Sequence, residues 1–152
     1  MKSLAWALLA ALLVGCGAED ESPQTQIRSV LGAIEAGAEA GDVSAIAEHI
    51  SRHYADGQGN DRRALVRYIQ FHVLRNRRRH LLTREASLEL IEPGLARAVV
   101  HAGLVGSPAS SAEELLSLRA DLYTFDMELV LEEGDWRVLR AEWKRAEARD
   151  LF

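Results

Sequence analysis

The apolar residues of this chain change period partway along it. As far as Val73 they recur every three or four positions, and from Leu82 onward they fall on every second position. The clearest alternation is Tyr123, Phe125, Met127, Leu129 and Leu131 pointing one way, with Thr124, Asp126, Glu128 and Glu132 pointing the other. Spacing of three and four gives a helix with one buried stripe, whereas alternation gives a strand with one face in a core and the other in water. Helices first and antiparallel strands after define an α+β fold, with N-terminal helices packed on a curved antiparallel sheet.

Three helical segments are predicted. In the first, Ile27, Val30, Leu31, Ile34 and Ala38 form one stripe and Gly41 supplies the stop. Asp42 caps a second, short helix with Val43, Ile46, Ala47 and Ile50 inward, so the two make a hairpin with almost no loop. After the loop Asp56 to Asp61, a third helix runs from about Arg62 to Arg78. Its apolar positions Leu65, Val66, Tyr68, Ile69, Phe71 and Val73 spread wider than one stripe, against a polar edge of Arg63, Arg67 and Gln70. Such a helix should be largely covered by the sheet.

The first strand is predicted over Leu82 to Leu90, with Leu82, Ala86, Leu88 and Leu90 on one face and Arg84 and Glu89 on the other. Pro93-Gly94 turns the chain into a second strand, Leu95 to Val105. Glu133-Gly134-Asp135 turns the third into a fourth, Trp136 to Lys144. Between the second and third strands, Ser111 and Glu114 form a capping-box pair that predicts a short helix at the rim of the sheet.

The chain opens with Lys2 and eleven uncharged residues, Leu4 to Val14. As a helix this run rises about 16 Å, while a bilayer core needs roughly 20 residues, so the pattern is that of a secretory signal and not of a span. Its end, Leu13-Val14-Gly15-Cys16, resembles the lipobox of bacterial lipoproteins, in which the cysteine receives diacylglycerol, the signal is cleaved and the new amino group is acylated with a palmitate-type chain. The resemblance implies a signal peptide over 1–15, a lipidated flexible tether over 16–24, a domain over 25–146 and a tail over 147–152. Two or three acyl chains hold a protein firmly where one is marginal. Gly17, in place of an aspartate after Cys16, implies the outer membrane, facing the periplasm. Cys16 is the only cysteine, so no internal disulfide is available.

The chain carries 18 Lys+Arg against 23 Asp+Glu, a formal net charge of −5, which argues against a nucleic-acid partner. His49 and His53 have metal-ligand spacing, but Ile50 follows His49 where a zincin has glutamate, and no third ligand is evident; no metal is expected. Counted from Asp56, a calcium loop would need Gly at its sixth place and Glu at its twelfth, and Asp61 and Arg67 stand there. A turn followed by a helix cap accounts for that loop. Arg75, Arg77, Arg78, Arg79 and His80 form a basic cluster, read as offsetting the third helix's dipole or as touching an anionic envelope surface.

The helical hairpin broken at Gly41-Asp42, the stretches Tyr54-Ala55-Asp56 and Gly59-Asn60-Asp61, and the closing Gly134-Asp135-Trp136-Arg137-Val138 leading to Glu142-Trp143 resemble the nuclear transport factor 2-like superfamily. Its cone-shaped fold is shared with ketosteroid isomerases and SnoaL-like polyketide cyclases. Members often carry a strand hairpin between the second and third helices. Only Arg52 to Gly57 is available for it here, which implies a reduced front to the cone. Enzymes of the family use a carboxylate or histidine inside the cone as general base; the candidates would be His72 with Asp126 or Glu128, although both carboxylates fall on the face opposite Tyr123 and Phe125. No residue is therefore assigned a catalytic role, and no cofactor is expected. Tyr68, Phe71, His72, Tyr123, Phe125 and Trp143 either line a pocket for a small hydrophobic ligand or are simply core. The resulting expectation is a membrane-anchored binding or assembly module for such a ligand or an envelope protein. An isomerase or cyclase, and a homodimer joined through the polar outer sheet face, stand as alternatives.

Overall fold

A computed structural model describes residues 21–75, 80–105 and 121–147. The signal segment, Cys16, Arg77 to Arg79, the Ser111/Glu114 pair and all of the tail but Glu147 lie outside the described residues.

Helix α1 spans Pro23–Ala40, α2 Val43–Glu48 and α3 Arg62–Arg75. Strands β1 (His80–Glu92), β2 (Leu95–Val105), β3 (Asp121–Glu132) and β4 (Asp135–Arg145) form one antiparallel sheet in the order β1-β2-β3-β4. Helix α1 begins inside the stretch expected to be a tether. Ser22 caps it, its Oγ accepting from the Thr25 amide at 3.3 Å, and Pro23 suits a first turn that needs no amide donor.

Gly41 ends α1 in the left-handed conformation at φ 74°, and Asp42 immediately caps α2 by accepting from the Ala45 amide at 3.0 Å. The hairpin is tight because a Cβ on Gly37 would stand 3.0 Å from Ile46 Cγ1. Helix α2 ends at Glu48, so His49 and His53 do not share a helix face; His53 Nε2 accepts from Arg52 Nε at 3.2 Å. Among the described residues no group of three or more His, Cys, Asp or Glu could hold a metal ion.

Both hairpins have two-residue turns. Glu133 and Gly134 carry φ of 55° and 93°, the doubly positive arrangement that matches strand twist. The core joins the two layers: Ile27 and Leu129 are fully buried, and Ala96, Ala98, Trp136 and Val138 pack with them. Trp136 Nε1 donates to Gln26 Oε1 at 3.1 Å, pinning the start of β4 to α1.

Strand β1 corrects the sequence reading of its faces. A bulge between Glu85 and Ser87 shifts the register, so that Leu81, Thr83 and Glu85 share the inner face with Leu88 and Leu90, while Leu82 pairs with Gly103 on the outer face and Ala86 is exposed. The alternation assigned to β3 holds: Asp126 is on the outer face, where Arg97 Nε donates to it at 2.8 Å.

The hairpin missing between α2 and α3 is replaced by chain lying along the edge of β4. Ser51 N donates to Val138 O at 2.9 Å, Val138 N to His49 O at 2.8 Å and Ala55 N to Leu139 O at 3.2 Å. The edge is thereby paired without a regular strand. Ser51, fully buried beneath it, donates from Oγ to Glu132 Oε1 at 2.5 Å.

Candidate functional site

The loop before α3 is organised by Asp56. Its Oδ1 accepts from the amides of Gln58 and Asn60, and its Oδ2 from Asn60 Nδ2, each at 2.9 Å; Tyr54 Oη adds a fourth bond at 3.1 Å. Burial opposes ionisation of Asp56, but these hydrogen bonds, Asn60's foremost, outweigh it and hold its pKa below the ordinary aspartate value. Burial, reinforced by Asp56, pushes the Tyr54 hydroxyl up. Asp61 then caps α3, accepting from Ala64 N at 2.7 Å. The loop is thus a turn followed by a cap that aims α3 across the sheet.

Helix α3 is not covered as expected. Tyr68 is 46 % exposed, Phe71 55 % and Leu74 69 %. Tyr68 borders a gap: between α1, α3 and the concave sheet lies a cavity of about 800 Å³, within the range of small-molecule sites, whereas Phe71 and Leu74 lie outside its lining. Its inner end is closed by the buried Ile46, Ile50, Leu65 and Val138, and it opens where Tyr68, His72, Arg75 and Asp121 are exposed. Part of its floor is Val100 and Ala102 on central strand β2. Ala102 is too small to reach across the space that its larger cross-strand neighbour Tyr123 walls on one side.

Five of the six residues singled out from the sequence meet in this lining: Tyr68, His72, Tyr123, Phe125 and Trp143. Phe71 does not. The rings form a chain, with centroids 5.6 Å apart for Tyr68 and Trp143, 6.5 Å for Trp143 and Phe125, and 6.3 Å for Phe125 and Tyr123. The His72 ring lies tilted against that of Tyr68, with centroids 4.4 Å apart.

Sequence reasoning missed the polar part of the lining. Arg28 Nε and Nη2 donate to Glu85 Oε2 and Oε1, both at 2.9 Å, across the open side of the α1–β1 seam. Thr83 Oγ1 donates to Glu35 Oε2 at 2.7 Å, and Arg145 pairs with Asp121 at 3.3 Å. Glu35 was legible only as an acid beside the apolar stripe of α1. Thr83 and Glu85 were hidden by the bulge.

A second hollow of about 670 Å³ lies between the start of α1, the end of α2 and the start of β4, lined by Gln26, Ser29, His49, Arg62, Trp136 and Arg137 among others. Its cations are largely engaged within the fold: Arg62 donates to the carbonyls of Ile50 and Ala47, and Arg137 approaches Glu132 at 3.9 Å and Asp135 at 3.5 Å.

No protein-family model and no curated protein matches the chain. Solved structures do. A protein of unknown function described as nuclear transport factor 2-like, from Shewanella oneidensis, superposes with a TM-score of 0.63 at 12 % identity, over 80 % of this chain and 98 % of its own. An uncharacterized protein with a cystatin-like fold from Caulobacter vibrioides gives 0.60 at 17 %, over 82 % and 89 %. A domain of unknown function from Nostoc punctiforme, also cystatin-like, gives 0.62 at 14 %, over 82 % and 77 %. At such identities the likeness is one of architecture. The helices packed on a four-stranded curved antiparallel sheet are those of the nuclear transport factor 2-like, or cystatin-like, fold.

Proposed function

We propose that this chain is a lipid-anchored protein of the bacterial envelope whose domain binds a small hydrophobic molecule without transforming it. The observation that carries the reading is the cavity between α3 and the sheet, with its wall of aromatic rings. An apolar molecule entering it covers Tyr68 and the rings behind it, at roughly 25 cal/mol per Å² removed from water. The anchor rests on Cys16 and the leader before it. Among the described residues no helix is long and apolar enough to cross a membrane.

Binding is favoured over isomerase or cyclase chemistry by where the carboxylates lie. Asp126 is bound to Arg97 on the outer face, Glu128 shares that face, and within the lining Glu85 and Asp121 are ion-paired. Among the described residues the one lining carboxylate outside an ion pair is Glu35, which accepts from the Thr83 hydroxyl at 2.7 Å, and neither candidate general base on β3 faces the cavity. The test is organic extraction of the full chain purified from its native membrane, followed by mass spectrometry. A single apolar compound near one per chain is expected; an extract matching that of an unrelated lipoprotein would refute the reading.

A further inference from the structure

We propose that the cavity selects molecules that carry a cationic nitrogen on an apolar body, with Glu35 receiving the nitrogen. This deepens the cavity reading above and rests on it.

Among the described residues, each charged group of the lining has a charged or aromatic partner except one. Arg28 holds Glu85 through two hydrogen bonds of 2.9 Å, and Arg145 holds Asp121. Arg75 lies over the Phe71 ring at 5.4 Å, and Phe71 is outside the lining. Glu35, half-buried on α1, takes one neutral hydrogen bond from Thr83 and has no ion pair among the described residues. A partly buried carboxylate with unfilled acceptor sites gains most from a charged donor.

The floor beside it places a ligand's body. Thr83 pairs with Ala102 and Ala102 with Tyr123, so about 9.6 Å of sheet, two strand spacings, separates the Glu35 contact from the Tyr123 ring, with only a methyl group between. An apolar body laid over Ala102 would touch the aromatic wall while its nitrogen reached Glu35. The rings add to the preference, because their faces attract cations. A ligand carboxylate would instead meet Glu35 as a like charge.

Calorimetry on the purified full chain with three matched probes tests this: 1-naphthylmethylamine, 1-naphthylmethanol and 1-naphthoate at pH 7. The amine is expected to bind about tenfold or more tightly than the alcohol, and the acid more weakly than both. Glu35→Gln keeps the size and an acceptor for Thr83; it should weaken the amine about tenfold or more and remove its advantage over the alcohol. Equal binding of amine and alcohol by the unaltered chain, or an amine preference that survives Glu35→Gln, would overturn this inference and leave the cavity reading standing. Failure of all three probes to bind would overturn both.

Discussion

Replacing Ala102 with leucine distinguishes a cavity from a packed core by the sign of its effect. Ala102 is 5 % exposed and lies on the cavity floor between Thr83 and Tyr123. Leucine adds three carbons. At about 0.8 kcal/mol per buried carbon, complete cover would stabilise the fold by about 2.4 kcal/mol. The cavity is open at the Tyr68 and Asp121 end, so about half of that, ~1 kcal/mol, is expected, and the melting temperature should rise by about 2–4 °C. If the space were filled by native side chains, the same leucine would overpack it and cost about 1–3 kcal/mol. Urea unfolding of the two full chains under identical conditions measures the difference, provided the m-value is unchanged. A fall in the midpoint with constant m would refute the cavity and with it the site. A rise should be accompanied by weaker uptake of any bound apolar compound, since the added carbons occupy its place.

The loop that aims α3 gives a pH-dependent prediction. Asp56 has a lower pKa folded than unfolded, so its carboxylate stabilises the fold in full above the unfolded value of about 3.9, and the contribution is lost as the pH falls through the folded value. Asp56→Asn should therefore cost about 1–3 kcal/mol at pH 7, because with its carbonyl oxygen kept on the Gln58 and Asn60 amides its NH2 would take the place of Oδ2 and face the Asn60 Nδ2 donor, and should cost less at pH 3. Equal cost at the two pH values, read from urea midpoints, would refute the assignment. For the anchor, Cys16→Ser should abolish fatty-acid labelling in cells and release the protein from membranes; continued labelling would refute lipid attachment at that residue.

Much of the fold was legible because local chemistry and tertiary structure agree. Gly41 and Asp42 end one helix and cap the next within two residues, Asp61 caps α3, and the alternation from Tyr123 to Leu131 survives intact in β3. The first strand was misread because a bulge is a property of the pairing and not of one strand: nothing in Glu85-Ala86-Ser87 announces that Val100 and Val99 will face Glu85 and Ser87 in succession. Helix α1 starts at Pro23, inside the stretch read as a tether, because a proline suits a linker and the first residue of a helix equally. The aromatic candidates were found by type and period, and five of the six do line the cavity. Glu35 and Thr83, on α1 and β1, carry no pattern of their own.

The sequence by itself determined the class of fold, the order of its elements, the faces of β3 and the place of its single cysteine, since each of these follows from neighbours a few residues apart. Whether Tyr68, Trp143, Phe125 and Tyr123 would be core or the wall of a site was decided only in three dimensions. That outcome depends on the distance between α3 and the sheet, which Ala102 on one strand and the Asp56 loop far from it in sequence set together, and no local pattern encodes a distance between separate elements.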